Sequence, residues 1–384
     1  MKSFVPPARL QGIEKSVIRQ VFDRARPGSI NLGLGEPDLP TPGVIRRAAV
    51  RAIIDEQNGY TSHAGLPELR TKVAGDYPYL ENDPDRVIIT AGSQEALYLA
   101  LLTLVDEGDE VLLPDPGFVA YPTIVRMAGG VPRFYRLPRD RDFGFDVDEF
   151  RNALTPRTKV VVCISPSNPT GRTLSVADLV SITDALREHG AYVISDEIYR
   201  DLYYTTERPE SLSAFYDRTI VIGGLSKSMS MTGWRIGWLA GDREVIKAAL
   251  VLHGYVTTCA SAISQKASLA AWTTEAKNAR VLFRSTFRAR RDHLMKKVIS
   301  ELRLRAVTPE GAFYTMIDAG GYGSSMTIAE ALLEQGVITV PGSAFGKESD
   351  DFLRVSFCAD QETLTEGIER IKRGLEMLSK ERVK

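Results

Sequence analysis

Along this chain, short runs of consecutive apolar residues alternate with longer stretches in which apolar residues recur every three or four positions. The runs at 87–90 (VIIT), 110–113, 159–164 (KVVVCI), 191–195 (AYVIS) and 219–222 (TIVI) are too short for buried helices, and most are rich in β-branched residues; they predict strands. The run at 159–164 is apolar almost throughout, the pattern of a strand covered on both faces. Helical spacing fills the gaps: residues 11–26 (Ile13, Val17, Ile18, Val21, Phe22), 42–54, a stretch from 68, and one from the Gly92-Ser93-Gln94 junction to 104. Another opens at Ser175, with Asp178 three residues on, and is carried by Val176, Leu179, Val180 and Leu186. Strands separated by helical crossovers predict an α/β large domain with a mostly parallel sheet covered by helices on both faces. Beyond Gly241 helices dominate (244–255, 260–272, 278–302). Strands at 312–317, 337–340 and 353–358 then mix with helices from 327 and 363, predicting a smaller α+β domain.

In a parallel sheet, ligands bind at the carboxyl ends of the strands. The polar residues that interrupt the pattern fall there. Ser93 and Gln94 follow the first large-sheet strand, at a helix start whose free N–H groups suit an anion. Phe118 follows the second, Asn168 the third, Asp196 and Tyr199 the fourth, and Ser226-Lys227 the fifth. Lys227 lies in GGLSKSMSMTGWRIGW, where burial would lower an amine's pKa and make it a nucleophile. Arg235 comes eight residues later. In the segment INLGLGEPD, Gly33 and Gly35 would let backbone approach a carboxylate closely.

Taken singly, each residue has an ordinary reading: a surface lysine, a helix N-cap, a core aromatic. Together they supply an amine for an imine, an acid to keep a ring nitrogen protonated, donors to a ring oxygen, an aromatic to stack, and a phosphate cup with an arginine. Pyridoxal 5′-phosphate requires all five.

Composition narrows the partners. The 384 residues carry 48 lysines and arginines against 49 acids, a net charge of −1, so no global field recruits nucleic acid or an anionic membrane. The longest apolar stretch, 96–105, is about half the ~20 residues a membrane helix needs, and the first residues lack a signal peptide's apolar core, so a cytoplasmic location is expected. Cys163, Cys259 and Cys358 are far apart and read as buried thiols, and no metal site is expected. His63 reads as a loop residue. Arg284, Arg288, Arg290 and Arg291 read as a solvated helix face, and Gly320–Ser324 as a surface loop.

The chain resembles the class I/II pyridoxal-phosphate aminotransferases, of the prokaryotic aspartate/aromatic type, along nearly its whole length. The carrying motifs are LGEPD (34–38), GY (59–60) with GLPELR (65–70), SPSNPTG (165–171), SDEIY (195–199), SK through GWR (226–235) and LRVS (353–356). The resemblance implies pyridoxal-phosphate fold type I, with residues 1–35 joining the small domain, 36–280 forming the large cofactor-binding domain and 281–384 the small C-terminal domain closing over the substrate. It implies that Lys227 holds the cofactor as a Schiff base and shuttles protons, with Asp196, Asn168 and Tyr199 on the ring. Phe118 would stack on it, and Ser93, Gln94, Ser226 and Arg235 would hold the phosphate. Arg354, with Gly35 and Asn168, would clamp the substrate α-carboxylate. It further implies a homodimer in which Tyr60 reaches the partner's phosphate, and a ping-pong reaction between an amino acid and a 2-oxo acid such as 2-oxoglutarate.

Some prokaryotic aspartate-type relatives carry a carboxylate-gripping lysine at the position of Gln94, so the reading leans to aromatic or broad-range donors. Aspartate specificity, a β-lyase or synthase on the same fold, and a regulator's effector domain are the alternatives. A dinucleotide dehydrogenase is disfavoured, since no G-x-G-x-x-G follows the first strand.

Overall fold

The computed structural model describes residues 4, 11 and 13–382. The strands in chain order are β1 (Ile30–Asn31), β2 (Val87–Thr90), β3 (Glu110–Asp115), β4 (Val131–Arg136), β5 (Thr158–Ile164), β6 (Tyr192–Asp196), β7 (Thr219–Gly224), β8 (Gly237–Ala240), β9 (Tyr314–Asp318), β10 (Val337–Ile338), β11 (Val340–Pro341) and β12 (Phe352–Ser356). The helices are α1 (Val17–Asp23), α2 (Gly43–Ile54), α3 (Pro67–Gly75), α4 (Ser93–Leu104), α5 (Tyr121–Met127), α6 (Val147–Ala153), α7 (Val176–His189), α8 (Arg243–Val256), α9 (Ala262–Ser268), α10 (Thr274–Lys297), α11 (Ser325–Glu334) and α12 (Gln361–Arg382).

Seven strands form the large sheet in the order β2-β8-β7-β6-β5-β3-β4. All pairings are parallel except those of β8, which runs antiparallel between β2 and β7. Thr90 and Gly224 both lie opposite Gly237, so the carboxyl ends of β2 and β7 share one edge, and the parallel register carries β6, β5 and β3 along with them. The apolar run of β5 is buried on both faces. Val160 and Val162 pack on the side of α4, with Leu97 and Leu101, whereas Val161 and Cys163 pack on the side of α7, with Leu179, Ile182 and Leu186. The capping box predicted at Ser175 and Asp178 opens α7.

β8 and β4 escape sequence reading for physical reasons. β8 is four residues led by glycine and closes the glycine-rich stretch that reads as a loop. β4 is an edge strand with mostly exposed side chains and a proline, so no apolar run marks it. The short helices α5 and α6 were likewise hidden in stretches without sustained periodicity.

The small sheet has the order β11-β12-β9, and β1 pairs in parallel with β10, tying the N-terminal segment to the C-terminal part of the chain. The helix expected at 260–272 is α9 followed by a 3-10 turn, and Gly320–Tyr322 forms a short 3-10 turn. α10 runs unbroken across residue 280 and continues into a π turn at Val298–Leu302. Of the arginines expected on a solvated face, Arg288 alone is exposed, and Arg284 and Arg291 are half-buried. Arg290 is buried, makes two bonds of 2.6 and 2.8 Å to Asp38, and donates to the Cys358 carbonyl at 2.9 Å. Arg284 and Arg291 lie over the rings of Tyr203 and Tyr204, and Arg288 donates to the Tyr204 carbonyl. The guanidinium stems cover apolar surface while their heads join distant segments, which the helix sequence alone cannot reveal. Cys163 and Cys358 are buried, but Cys259 is only partly so. His63 is exposed, as expected of a loop residue. No described helix is long and apolar enough to cross a membrane.

Candidate active site

The strand ends enclose a cavity of about 280 Å³, lined by Gly35, Ser93, Gln94, Phe118, Asn168, Asp196, Tyr199, Ser226, Lys227, Arg235 and Arg354 among others. Every site residue expected from sequence is there except Tyr60, which stands 90% exposed on the loop before α3.

Lys227 sits three residues beyond the end of β7, and its Nζ donates to the Gly35 carbonyl at 2.7 Å. Burial holds its ammonium below the usual lysine range, partly opposed by Cys358 and Glu36 and reinforced by Arg354 and Arg235. Asp196 ends β6. Its carboxyl is pushed up to about 6 by burial, against the hydrogen bonds that favour its charged form. Those bonds come from the Tyr121 hydroxyl at 2.8 Å and the Ile198 N–H at 3.2 Å. Phe118 faces the cavity and meets Tyr121 edge to face, centroids 5.5 Å apart.

At the opposite end, the Gly92-Ser93 turn opens α4, whose first-turn N–H groups have no helical acceptors. Gly92 has φ 95°, and a Cβ there would lie 2.6 Å from Arg235 Nη2, so glycine alone lets the guanidinium approach. Arg235 is held by the Thr232 carbonyl at 3.0 Å and the Ala91 carbonyl at 3.3 Å. Gly237 is equally constrained, because a Cβ would lie 2.6 Å from the Ser93 nitrogen.

Arg354, in the middle of β12, is 3% exposed. Its Nη1 donates to Asn168 Oδ1 at 2.9 Å and its Nη2 to the Gly33 carbonyl. The guanidinium lies 4.4 Å from the Tyr314 ring centre and 4.8 Å from that of Phe345. Its Nε is buried without a partner, and among the described residues it makes no ion pair. With Asn168 Oδ1 accepting from Arg354, the Asn168 amide keeps its own donors for the cavity.

Tyr199 was expected to donate to a ring oxygen. Its hydroxyl is 2.9 Å from that of Tyr314, and burial drives the Tyr199 phenol well above its ordinary range. Tyr314 is pushed up to about 12 by burial, so both remain neutral donors. Gly35 passes so close to Tyr314 that a Cβ would run into the hydroxyl.

Sequence reading missed Tyr121, Tyr314 and Phe345. Tyr121 and Tyr314 read as core aromatics, and Phe345 lies in the polar, glycine-containing loop GSAFGKES, where nothing marks it. For Tyr314 the only available signal is its place in a predicted strand of the small domain.

The donor set fits an anionic, ring-bearing ligand. Lys227, Arg235 and Arg354 line the cavity with no ion-pair partner among the described residues, against one lining acid, Asp196. That excess of unpaired positive charge calls for phosphate and carboxylate. Asp196 at the cavity floor, with Tyr121 behind it, suits a protonated ring nitrogen.

The family profile "Aminotransferase class I and II" matches residues 27–371. Aspartate aminotransferase of Geobacillus stearothermophilus is 35% identical over 97% of this chain and 97% of its own. The structure of aspartate aminotransferase from Thermus thermophilus with maleate superposes with a TM-score of 0.91 at 34% identity, covering 97% of this chain and 100% of that one. An aromatic aminotransferase from Pyrococcus horikoshii gives 0.87 at 33% identity over 94% and 99%. With the family matched along nearly the whole chain and the same fold at one third identity, this protein belongs to the class I and II aminotransferases.

Proposed function

We propose that the enzyme transfers the amino group of an L-amino acid to a 2-oxo acid such as 2-oxoglutarate, in a ping-pong reaction on pyridoxal 5′-phosphate. The reading rests above all on Arg354, a buried guanidinium without an anion, in one cavity with a lysine of lowered pKa and a lone carboxyl. When bound, the cofactor supplies an electron sink that acidifies the substrate Cα–H.

The remaining roles belong to the chain. Lys227, carried just past β7, is the amine that attaches to the cofactor and, once released, takes the Cα proton on Nζ and gives it back. Arg354 binds the substrate α-carboxylate by charge-assisted hydrogen bonds, and the Gly35 backbone and the free donors of Asn168 complete that grip. With the amino nitrogen held at the cofactor as a second anchor, fixing the carboxylate restricts the orientation of the Cα–H bond relative to Lys227. Asp196 holds a proton on the ring nitrogen, and the Tyr121 hydrogen bond keeps it facing the cavity. Asn168 and Tyr199 donate to the ring oxygen, with Tyr314 holding the Tyr199 hydroxyl in place. Phe118 covers the ring face. Ser93, Gln94, Ser226 and Arg235 hold the phosphate at the start of α4.

We assign residues 36–280 to the large domain and the described residues of 1–35 and 281–384 to the small one, residues 1–3, 5–10, 12, 383 and 384 lying outside the described residues; the pairing of β1 with β10 supports joining the two terminal parts. We place the enzyme in the cytoplasm as a homodimer, and the exposure of Tyr60 supports its reaching the partner's phosphate. Donors of aromatic or broad range are favoured. The cavity's remaining lining is Ile18, Gly33, Leu34, Leu97, Ile164, Ile198, Thr232 and Tyr314, and no fourth cation lines it among the described residues to meet a side-chain carboxylate.

Purified enzyme given each of a panel of amino acids with 2-oxoglutarate tests the reading. Glutamate and the matching 2-oxo acid should form together, and kcat/KM ranked across donors reads specificity. Pyruvate and ammonia without glutamate would mean a β-lyase, and a clear preference for aspartate would refute the aromatic assignment.

A further inference from the structure

Behind the phosphate end of the cavity lies a buried polar cluster that the transamination roles leave unused. Glu95, in the first turn of α4, turns its carboxylate back over the loop between β2 and α4, and Oε2 accepts from the Ala91 N–H. Its Oε1 accepts from His253 Nδ1 at 2.8 Å and from the Thr257 hydroxyl at 2.6 Å, both reaching in from α8 and its C-cap. His253 is completely buried, and its Nε2 has no partner. Because a carboxylate can only accept, Nδ1 must carry the hydrogen. Glu95 stays below the ordinary carboxylate range although burial opposes it, through the bonds from His253, Thr257 and Ala91.

The chain of contacts continues into the site. The peptide whose N–H is held by Glu95 leads into Ala91, whose carbonyl accepts from Arg235 Nη2 at 3.3 Å. The next residue, Gly92, is pinned through its own carbonyl by the Thr90 hydroxyl at 3.0 Å and is the position where a Cβ would displace Arg235. A negative charge at this helix start works against a phosphate nearby. A carboxylate is useful there only if it fixes the loop, and His253 and Thr257 draw it to the α8 side while it does so.

We propose that His253, with Thr257, is a positioning residue for the phosphate end of the site: by orienting Glu95 it fixes the 91–93 loop and, through the Ala91 carbonyl, the Arg235 guanidinium. This rests on the cofactor reading given above, and the experiment separates the two.

Apoprotein is titrated with pyridoxal 5′-phosphate and, in parallel, with pyridoxal, which lacks the phosphate, following the absorbance of the bound species. Failure of the wild type to bind pyridoxal 5′-phosphate would defeat the cofactor reading itself. Given wild-type binding, H253F should raise the Kd for pyridoxal 5′-phosphate about tenfold, the loss of one hydrogen bond to a charged group largely transmitted to the ligand. The Kd for pyridoxal should move less than about twofold, because the ring contacts are untouched. H253N, whose amide nitrogen can stand where Nδ1 stood, should restore binding to within about threefold. An unchanged Kd in H253F, an equal loss for both ligands, or no rescue by H253N would overturn the assignment. If H253F does not accumulate as folded protein, T257V, which removes the other donor to the same oxygen, is read by the same criteria.

Discussion

Replacing Asp196 by asparagine should make the apoprotein more stable, and more so at high pH. The carboxyl, ordinarily near 3.8, is pushed up to about 6 in the fold by burial. A raised acid binds its proton more tightly folded than unfolded, so stability falls as pH rises from the unfolded value to the folded one and is flat above it. At about 1.4 kcal/mol per pKa unit, ionised Asp196 costs the apoprotein about 3 kcal/mol at pH 8 and roughly half that at pH 5. Asparagine is nearly isosteric and never charges. Its carbonyl can still accept from the Ile198 N–H and its amide can donate to the Tyr121 oxygen; the Tyr121 hydroxyl hydrogen alone loses its acceptor, a cost that is the same at every pH. For 384 residues, an unfolding entropy of about 0.8 kcal/mol/K converts those energies to a Tm gain of about 4 °C at pH 8 and about 2 °C at pH 5. Differential scanning calorimetry of the two apoproteins at both pH values reads the difference, in which the other titrating groups cancel. A gain of the same size at both pH values, or a loss at pH 8, would refute the assignment of Asp196 as a carboxylate held at a cost until a cationic ring nitrogen meets it. The same variant should lose most of its turnover once loaded with cofactor.

Two further substitutions test the other ends of the cavity. Lys227→Ala should still bind pyridoxal 5′-phosphate through Asp196, Arg235 and the start of α4, yet lose turnover by about four orders of magnitude or more and show no cofactor fixed by borohydride; near-normal kcat would overturn its role. Arg354→Lys keeps the charge but not the planar fork, so kcat/KM for amino acid and oxo acid alike should fall by about a hundredfold in steady-state assays, with the Kd for the cofactor unchanged. A loss confined to one of the two substrates would show that Arg354 does not meet their shared carboxylate.

How far the chain's own letters reveal this site depends on where each residue's partner lies. Lys227, Asp196 and Asn168 were legible because each is polar where an apolar strand stops, and because a parallel sheet puts those stops on one edge. The fold was legible for the same reason wherever a strand is buried on both faces, as in β5, and was lost where the pattern has no face to report: the four residues of β8 and the exposed edge of β4. Tyr121 and Tyr314 are apolar in every local sense. Only the fold, which carries their hydroxyls to Asp196 across 75 positions and to Tyr199 across 115, brings them into the hydrogen-bond network of the candidate site.

Arg354 shows both sides of this. Its motif marks it, but its environment is assembled from four separate places: the Gly33 carbonyl before α2, Asn168 after β5, Tyr314 in β9 and Phe345 before β12. Two neutral acceptors and two aromatic faces orient a guanidinium without neutralising it, so the charge stays available to a carboxylate. A single acid in any of those four places would complete a buried ion pair and cost the site its ligand. The absence of that acid is visible only once the four segments are folded against one another, and it leaves a guanidinium buried to 3% exposure with no charged partner among the described residues, which is what the proposed carboxylate-binding role requires.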